Sequence, residues 1–422
     1  MSAAPQIRPT AEIRVPHPFA LFLANGWERT RPVRASRERP LHAMAIYTSP
    51  VIPTLQDIRW HSFLARSPLA SPSPETLVAL ARQPILITGA GGSIGTALAK
   101  RLAALNPPSL VLLEASESNL FALTSELAPS AAITCILGSA GDAALLEHIF
   151  AAHAPRLVFH AAAFKHVPLM EQHPLAAIAN NIFSTEALAR IAAAHRARVI
   201  LLSTDKAVQP ASVMGATKRV AEQIVLAQGG TVLRLGNVLA SRDSVAEIFA
   251  RQIVRGGPIT VTDPAARRYF LTLDEAADLL LAAAAHTHSP ALLAPQLPAP
   301  HFIADLANFM TRALATGREI SIEFTHPRPG DKETEQLWSE DDHTYPASSD
   351  ASHPAMISIQ SPAHTSSQLA FELTHLHAAV DARNLAAALV HIQSLVPGYT
   401  PSASVLALAR QAISPSIRQV PQ

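Results

Sequence analysis

A glycine-rich turn between an apolar strand and a helix constrains the fold of this chain more than any other feature. The turn has the sequence Thr-Gly-Ala-Gly-Gly-Ser-Ile-Gly at residues 88–95, follows the apolar run 85–87 and opens a helical pattern. This order of strand, turn and helix is the context in which glycine loops bind the diphosphate of a dinucleotide. Apolar runs then alternate with helical patterns, and the predicted strands are 85–88, 110–113, 133–137, 157–161, 199–203 and 232–235. Strands that are apolar throughout, with helices between them, predict an α/β fold: a Rossmann-like, doubly wound parallel sheet that is covered on both faces.

Residues within the turn have separate predicted roles in cofactor binding. We expect Gly89 to permit the tight turn, Gly92 to let the backbone approach a diphosphate, and Gly95 to allow close packing of the helix. Ser93 and Ile94 begin that helix, and the free N–H groups at its start face the phosphates. The spacing Gly-x-x-Gly-x-x-Gly is typical of short-chain dehydrogenases, whereas ordinary dehydrogenases have Gly-x-Gly-x-x-Gly.

Two more segments are predicted to line the cofactor site. Glu114 ends the second predicted strand, where a carboxylate can accept a hydrogen bond from the ribose 2′-hydroxyl; a solvated acid at a strand end is the alternative. No arginine follows it closely to hold a 2′-phosphate, and Glu117 adds negative charge, so NAD is favoured over NADP as the cofactor. Ala161 and Ala162 end the fourth predicted strand, and their small side chains let the backbone lie against a cofactor ring.

Polar residues after the fifth predicted strand form the predicted catalytic group. Thr204, Asp205 and Lys206 follow that strand directly, and Met214 precedes Lys218 by four residues, one helical turn. In most short-chain dehydrogenases a tyrosine that exchanges a proton with the substrate fills the position of Met214, and a thioether cannot carry a proton. An acid beside an amine then favours oxidation coupled to a second step such as elimination, although a surface ion pair is the alternative. Lys218 is predicted to bond the nicotinamide ribose.

Basic and amide residues predict a second, anionic ligand. Guanidinium groups suit diphosphates because they donate paired hydrogen bonds, while an ordinary ion pair is the alternative for each arginine taken alone. Arg234 and Arg267 belong to this group of arginines, and His160 and His166 are interpreted as structural histidines. The predicted substrate-binding residues are Lys165, Asn181, Asn237, Arg268, Arg328 and Asp331.

Charge and composition exclude several classes of partner. The 422 residues include 33 basic and 32 acidic side chains, and a formal net charge of +1 does not predict binding to nucleic acid or to an anionic membrane. No segment reaches the ~18–20 continuous apolar residues that span a bilayer, and the start of the chain lacks the pattern of a signal peptide. We therefore expect no membrane insertion and a soluble, cytoplasmic protein. The 19 histidines have no convincing metal-ligand spacing, so no metal is predicted, and the single cysteine, Cys135, is expected to be a buried core thiol.

Shifts in composition predict the domain organisation. Residues 340–366 are rich in serine, histidine and proline and are predicted to form an exposed loop. A disordered extension is predicted at 1–50, followed by an NAD-binding Rossmann-like domain with the catalytic residues at 51–240, which begins with a short lead-in to 83. A smaller substrate-binding lobe with C-terminal helices follows at 241–402 and shares part of the sheet, and a tail is predicted at 403–422.

Taken together, these motifs resemble the nucleotide-sugar 4,6-dehydratases of polysaccharide and glycan biosynthesis, within the extended short-chain dehydrogenase/reductase superfamily. The resemblance covers roughly 57–402 and includes Ser-Thr-Asp-Lys-Ala-Val at 203–208, Met-Gly-Ala-Thr-Lys-Arg at 214–219 and Arg-Pro-Gly-Asp-Lys at 328–332. The branch with methionine in place of tyrosine is similar to the UDP-N-acetylglucosamine 4,6-dehydratases of the membrane-anchored, two-module type. This chain looks like the catalytic module of that type.

The resemblance implies a reaction without net oxidation of the sugar. Hydride leaves C4 for the nicotinamide, the C5 proton and the C6 hydroxyl depart as water, and the hydride returns to C6. In this scheme Lys206 is the base at C5, Asp205 is the acid for the C6 hydroxyl, and Thr204 orients the 4-hydroxyl. Either Asp205 or a water accepts the C4 hydroxyl proton. Retention at C5 and a homo-oligomer are also implied.

Several positions depart from the pattern of the family, and two other functions stay open. Ser139 stands for an aspartate, Ser184 and Asp243 each stand for a glycine, and Asp331 stands for a glutamate. The first change removes one expected adenine contact, and Asp243 adds negative charge near the expected diphosphate. A nucleotide-sugar 4-epimerase and a non-catalytic homologue that binds cofactor are the alternatives.

Overall fold

The computed structural model describes residue 55 and residues 57–286, 290–315, 317–347, 356–362 and 364–411. The predicted disordered extension at 1–50 lies outside the described residues, and so does the end of the predicted tail, 412–422.

The described strands form one large sheet and three two-stranded pairings. In the large sheet their order is β14-β15-β11-β6-β5-β4-β1-β2-β3, and the small pairings are β10-β7, β12-β9 and β13-β8. The strands are β1 (Ile85–Thr88), β2 (Leu110–Glu114), β3 (Ile133–Leu137), β4 (Leu157–His160), β5 (Arg198–Thr204), β6 (Thr231–Leu235), β7 (Asn237–Val238), β8 (Ile259–Val261), β9 (Arg267–Arg268), β10 (Phe270–Leu271), β11 (Ala291–Pro295), β12 (His301–Phe302), β13 (Ile322–Phe324), β14 (His343–Pro346) and β15 (Met356–Gln360).

The predicted α/β fold is confirmed. Strands β1 to β6 and β11 pair in parallel, and every residue of β1, β2, β4 and β6 is buried. Because helices cover both faces of such a sheet, each strand needs apolar side chains on both sides, which is the continuous apolar pattern of the sequence. Strand order reverses between β1 and β4, so a ligand crevice is expected at the carboxyl ends of these two strands.

Helices fill the connections between the strands. They are α1 (Trp60–Leu64), α2 (Pro74–Ala81), α3 (Ser93–Ala104), α4 (Glu117–Glu126), α5 (Ala143–His153), α6 (Val167–Gln172), α7 (Pro174–Ile178), α8 (Ser184–Ala194), α9 (Val213–Ala227), α10 (Val245–Val254), α11 (Leu273–Ala285), α12 (Ile303–Leu314), α13 (Ser366–Asp381), α14 (Leu385–Leu395) and α15 (Ala403–Gln411). A π-helical turn, Ala179–Phe183, joins α7 to α8, and a 3₁₀ turn, Asp205–Ala207, follows β5.

The two edges of the large sheet differ from the sequence prediction. Cys135 was expected in the core, but it is exposed because β3 is the last strand on its side. At the other edge, β14 and β15 pair antiparallel within the region predicted as an exposed loop, 340–366. All four residues of β14 are exposed, so this segment lacks the apolar alternation that marks a half-buried strand.

A separate apolar core surrounds α1, α10 and α12. Phe63 of α1 lies in this core beside Phe270, with ring centroids 5.6 Å apart, and beside Phe309 of α12 at 5.4 Å. The large sheet continues past residue 240 through β11, β15 and β14. The predicted tail also begins with ordered structure, because Val405 and Ala409 of α15 are buried.

Candidate active site

The glycine turn lies at the reversal of strand order, against the end of β4. Gly89 has a φ of +67°, and a Cβ built on it would lie 2.6 Å from the backbone nitrogen of Ala162. A Cβ on Gly95 would clash with the carbonyl oxygen of Gly89. Gly92 precedes the first residue of α3, Ser93, with extended backbone, so the helix begins directly at the turn. The structure thus brings together the glycine turn and the small residues at the end of β4 that the sequence assigned to a cofactor.

Glu114 holds the glycine turn from the end of β2. Its Oε2 accepts a hydrogen bond from the backbone N–H of Gly91 at 2.9 Å, and its Oε1 accepts one from Ser116 at 2.9 Å. The carboxylate therefore fixes the shape of the turn. Its contact with a ribose hydroxyl stays a prediction.

The predicted catalytic residues meet at the 3₁₀ turn after β5. Lys206 Nζ donates to Asp205 Oδ1 at 2.9 Å and to Asn237 Oδ1 at 3.1 Å. Thr204 Oγ1 donates to the same oxygen of Asp205 at 2.8 Å. The other oxygen, Oδ2, is buried and has no hydrogen-bond partner among the described residues. An amine, a fully buried carboxylate, a hydroxyl and an amide therefore meet at this turn, and side chains of these types can transfer protons.

Helix α9 packs tightly on this turn. A Cβ on Gly215 would clash with the carbonyl oxygen of Lys206, so only glycine allows the approach. Met214 beside it is buried. Lys218 Nζ donates to the carbonyl oxygen of Leu202 at 2.7 Å, and burial lowers the pKa of Lys218 to about 8 against the opposing effect of Glu222.

The segment after β4 is held by a buried amide. Asn181 was predicted to bind substrate, but its Oδ1 accepts from the backbone N–H of Phe164 at 2.8 Å and its Nδ2 donates to the Phe164 carbonyl at 3.1 Å. Its side chain is therefore used inside the protein, where it positions the neighbouring Lys165. Lys165 is exposed, and its Nζ donates to the carbonyl oxygen of Arg242.

His160 is a structural histidine, as the sequence suggested. Its Nδ1 lies 2.6 Å from Thr88 Oγ1, and its Nε2 lies 3.0 Å from Thr185 Oγ1. Burial, assisted by the charge of Lys218, lowers the pKa of His160 to about 3, so the ring is neutral at physiological pH.

The arginines do not form one cationic pocket. Arg234 is buried and donates from Nε to Glu222 Oε1 at 2.9 Å and from NH2 to Oε2 at 2.8 Å. Arg268, predicted to bind substrate, donates instead to the carbonyl oxygens of Lys332 at 2.9 Å and Glu333 at 3.0 Å. These contacts leave neither guanidinium open to a diphosphate.

Arg328 and Asp331 pair with each other at the surface. Arg328 Nε donates to Asp331 Oδ2 at 2.9 Å, and about half of the arginine side chain is exposed. The guanidinium of Arg328 therefore stays accessible to an anion, whereas Asp331, with 14% of its side chain exposed, competes for the same cation.

Two functional candidates, Arg242 and Glu335, were missed in the sequence, and Lys332 was noted only as the end of the motif at 328–332. Arg242 lies against the glycine turn: its NH2 donates to the Gly91 carbonyl at 2.6 Å, and its backbone N–H donates to Ser93 Oγ at 2.9 Å. Lys332 and Glu335 form a pair, with 2.9 Å between Nζ and Oε2, beside the catalytic turn. The three-residue spacing of Lys332 and Glu335 was a signal for an ion pair between them, but nothing in the local sequence shows that the Glu335 carboxylate is buried.

The departures from the family pattern occupy two places. Asp243 has a φ of 55°, in the left-handed region that favours glycine, and its carboxylate lies 3.8 Å from His166 Nε2. Ser139 and Ser184 both line an open cavity of about 530 Å³ beyond the ends of β3 and β4. Both serines lie beside Gly141, at which a Cβ would be 2.7 Å from Ser184 Oγ and 3.5 Å from Ser139 Oγ.

In the part of the chain that the structure describes, no helix has the length and apolar character needed to cross a membrane. The same residues contain no group of three or more histidine, cysteine, aspartate or glutamate side chains placed to hold a metal ion.

Comparison with known sequences gives relatives of two kinds. The chain is 37% identical over 295 residues to the probable polysaccharide biosynthesis protein EpsC of Bacillus subtilis, a match that covers 67% of this chain and 49% of EpsC. The chain therefore spans about half the length of that relative. It is 32% identical over 275 residues to a UDP-glucose 4-epimerase of Rickettsia massiliae, covering 61% of this chain and 78% of the epimerase.

Solved structures agree on the fold. Pen from Bacillus thuringiensis superimposes with a TM-score of 0.61 at 28% identity, over 67% of this chain and 89% of Pen. The dTDP-glucose 4,6-dehydratase DesIV from Streptomyces venezuelae, solved with NAD and TYD bound, gives a TM-score of 0.54 at 18% identity over 60% of this chain and 88% of DesIV. A family model described as "polysaccharide biosynthesis protein" matches residues 85–357, which include the glycine turn, the 3₁₀ turn after β5 and the segment that carries Glu335. The chain belongs to this polysaccharide biosynthesis protein family.

Proposed function

We propose that this protein is a nucleotide-sugar 4,6-dehydratase that converts UDP-N-acetylglucosamine to a UDP-4-keto-6-deoxy sugar for polysaccharide synthesis. One observation carries the proposal: Lys206 Nζ lies 2.9 Å from Asp205 Oδ1 at the carboxyl end of β5, on a scaffold where Met214 replaces the usual proton-transferring tyrosine. Hydride transfer alone does not require an amine beside an acid, whereas elimination of water requires a base and an acid.

The geometry of the cofactor site supports NAD as the cofactor. The positive φ of Gly89 and the lack of space for a Cβ there leave a backbone cradle at the start of α3, where free N–H groups stabilise phosphates. Bound there, NAD would accept hydride from C4 and return it to C6. Glu114 adds negative charge at the end of β2, which favours a ribose hydroxyl over a 2′-phosphate.

Proton transfers are assigned so that each proton has a source and a destination. Asp205 is 0% exposed, so it takes the proton of the C4 hydroxyl through Thr204, whose Oγ1 donates to Asp205 Oδ1 at 2.8 Å. The same carboxyl group then donates that proton to the departing C6 hydroxyl, which leaves as water. Lys206 removes the C5 proton and later returns a proton to C5, while Thr204 orients the 4-hydroxyl.

The substrate class rests on the family and on the residues that remain accessible. The hydrogen bond of 3.1 Å between Lys206 Nζ and Asn237 Oδ1 supports a role for Asn237 in binding the sugar beside the amine. Lys165 and Arg328 are exposed cations that can meet the diphosphate. The uridine and the N-acetyl group are proposed from the resemblance to the methionine branch, as are a homo-oligomeric assembly and retention at C5.

A nucleotide-sugar 4-epimerase is the second candidate. Its supporting observation is the 32% identity to a UDP-glucose 4-epimerase over 78% of that protein. An epimerase oxidises C4 but leaves the C5 proton in place, so it has no use for Lys206 as a base.

Single substitutions of the catalytic pair test the proposal. Asp205→Asn and Lys206→Ala should each lower formation of the 4-keto-6-deoxy product by roughly 10²–10⁴-fold, the usual range for a lost general acid or base. Bound cofactor, measured by chromatography of the denatured protein, should be retained. Lys100→Ala is the matched control, because Lys100 is half-exposed and pairs with Glu126 at the surface. Epimerisation that survives both substitutions would establish the second candidate instead.

A further inference from the structure

A short segment behind the catalytic turn brings two more charges to it. Lys332 Nζ donates to the carbonyl oxygen of Val208 at 2.8 Å, so the segment 332–335 is bonded to the end of the turn. Glu335 Oε1 lies 3.9 Å from Lys206 Nζ, and the glutamate is buried, with 2% exposed. A buried carboxylate this close to an amine affects the charge of that amine.

Other contacts fix the segment 332–335 in place. The guanidinium of Arg268 donates to the carbonyl oxygens of Lys332 and Glu333, and the backbone N–H of Arg267 donates to the Glu333 carbonyl at 2.8 Å. Three hydrogen bonds from β9 therefore hold the backbone that carries Glu335. These bonds fix the backbone two and three residues before Glu335.

Around Lys206 the charges alternate in sign. Asp205 faces its ammonium from the same turn, Glu335 faces it from the segment 332–335, and the neutral amide of Asn237 faces it from β7. Lys332 lies behind Glu335, with 2.9 Å between Nζ and Oε2. From α9, Lys218 bonds the Leu202 carbonyl instead. The four charges closest to the turn sum to zero, which is the arrangement that makes buried ions tolerable.

We propose that Glu335 is a positioning residue that sets the charge and the location of the Lys206 amine. Its carboxylate attracts the ammonium and holds Nζ between Asp205 and Asn237. The role of that amine as a base at C5 rests on the proposed function, but the electrostatic link between Glu335 and Lys206 does not.

The direction of the link follows from the charges. A carboxylate 3.9 Å from the amine favours its ammonium form, and the ammonium of Lys332 opposes that effect. Removing the carboxylate alone leaves the opposing cation in place, so the free amine of Lys206 is favoured.

Chemical labelling of the full-length protein measures the link without any substrate. Acetylation of Lys206 by acetic anhydride, followed by peptide mass spectrometry, gives the fraction of free amine as a function of pH, with the half-exposed Lys100 as internal reference. In Glu335→Gln the midpoint for Lys206 should fall, because the carboxylate that favours the ammonium is gone. Glu333→Gln, which changes the exposed neighbour, should leave it in place. A midpoint for Glu335→Gln that moves no further than that of Lys100 would overturn the proposal.

A double variant separates the proposal from a merely structural role. Glu335→Gln leaves Lys332 without its carboxylate partner, and this loss by itself lowers stability. Lys332→Met combined with Glu335→Gln restores the charge balance. If Glu335 acts on Lys206, the labelling midpoint of the double variant is lower than that of Lys332→Met alone. Equal midpoints in these two variants would show that Glu335 serves only to pair with Lys332, against the proposal. Glu335→Asp, which keeps the charge, should restore most of the wild-type midpoint.

Turnover gives an independent readout. If the wild type makes the 4-keto-6-deoxy product, the limb of its pH–rate profile that rises with pH should move to lower pH in Glu335→Gln, with a reduced maximum because Nζ is less well placed. A wild type inactive on UDP-N-acetylglucosamine would count against the proposed function alone, and the labelling curve would still decide this inference.

Discussion

The buried Arg234 of β6 gives a prediction about the stability of the folded protein. It is 1% exposed, and its guanidinium makes a paired contact with Glu222, which is also accepting a hydrogen bond from Ser203 Oγ at 2.6 Å. Arg234→Met keeps most of the side-chain volume and removes the charge. The pKa of Glu222 is lowered from 4.5 to about 2 despite its burial, with the charge of Arg234 as the main favourable cause. Breaking a buried ion pair costs ~3–5 kcal/mol, and Arg219, which also contacts Glu222 at 3.0 Å, should keep the loss for Arg234→Met near the lower end of that range.

The same pair predicts a pH dependence. Because the pKa of Glu222 is depressed in the folded protein, its contribution is complete above about pH 4.5 and is lost as the pH falls toward about 2. The difference in unfolding free energy between wild type and Arg234→Met should therefore shrink below pH 4.5.

Urea denaturation followed by circular dichroism measures both effects. Arg251→Met is the control, because Arg251 is half-exposed and its contact with Glu247 is worth at most about 0.5 kcal/mol. An equal loss in the two variants would refute the account of Arg234 as a buried structural cation. A raised KM for the nucleotide sugar with unchanged stability would instead support the diphosphate role that the sequence suggested for it.

Two further substitutions test the cofactor and substrate sites. Gly89→Ala should abolish cofactor retention, because its Cβ would lie 2.6 Å from the backbone nitrogen of Ala162. Gly229 is the control, because it also has a positive φ, +76°, but has open space around it. Gly229→Ala should therefore lose only about 1 kcal/mol of stability and keep its cofactor. Cofactor released from each purified variant decides the comparison, and equal retention would contradict the cradle. Asp243→Gly should raise stability by up to about 1 kcal/mol, because it relieves a left-handed conformation, and should lower KM for the nucleotide sugar by removing negative charge. Denaturation and steady-state kinetics measure the two effects, and a raised KM would show that Asp243 helps to bind substrate.

Sequence patterns predicted the parts of the fold that depend on local chemistry. The glycine turn, strands β1 to β6 and the meeting of Asp205 with Lys206 follow from short motifs at the carboxyl ends of apolar strands. In contrast, β14 and β15 owe their pairing to a distant sheet edge, and no local pattern in 340–366 reveals it.

Side-chain roles were harder to predict wherever two distant segments share a contact. Arg268 and Asn181 have the chemistry of substrate ligands, yet both side chains bond the backbone elsewhere in the chain. Arg268 donates to the carbonyls at 332–333, and Asn181 pairs with the backbone of Phe164. Glu335 was missed for the converse reason, because only the folded chain places it 3.9 Å from Lys206 Nζ. Residue type and spacing indicate what a side chain can do, while burial and partners determine what it does.

Elimination of water across C5 and C6 distinguishes a 4,6-dehydratase from a 4-epimerase, and NMR in deuterated water detects it directly. The purified protein is incubated with UDP-N-acetylglucosamine in deuterated water, without added NAD, and the sugar is followed by NMR. We predict a 4-keto-6-deoxy product that carries deuterium at C5, with coupling constants that report retention. A C4 epimer that keeps its C5 proton, or a spectrum that stays unchanged even after NAD is added, would contradict the account.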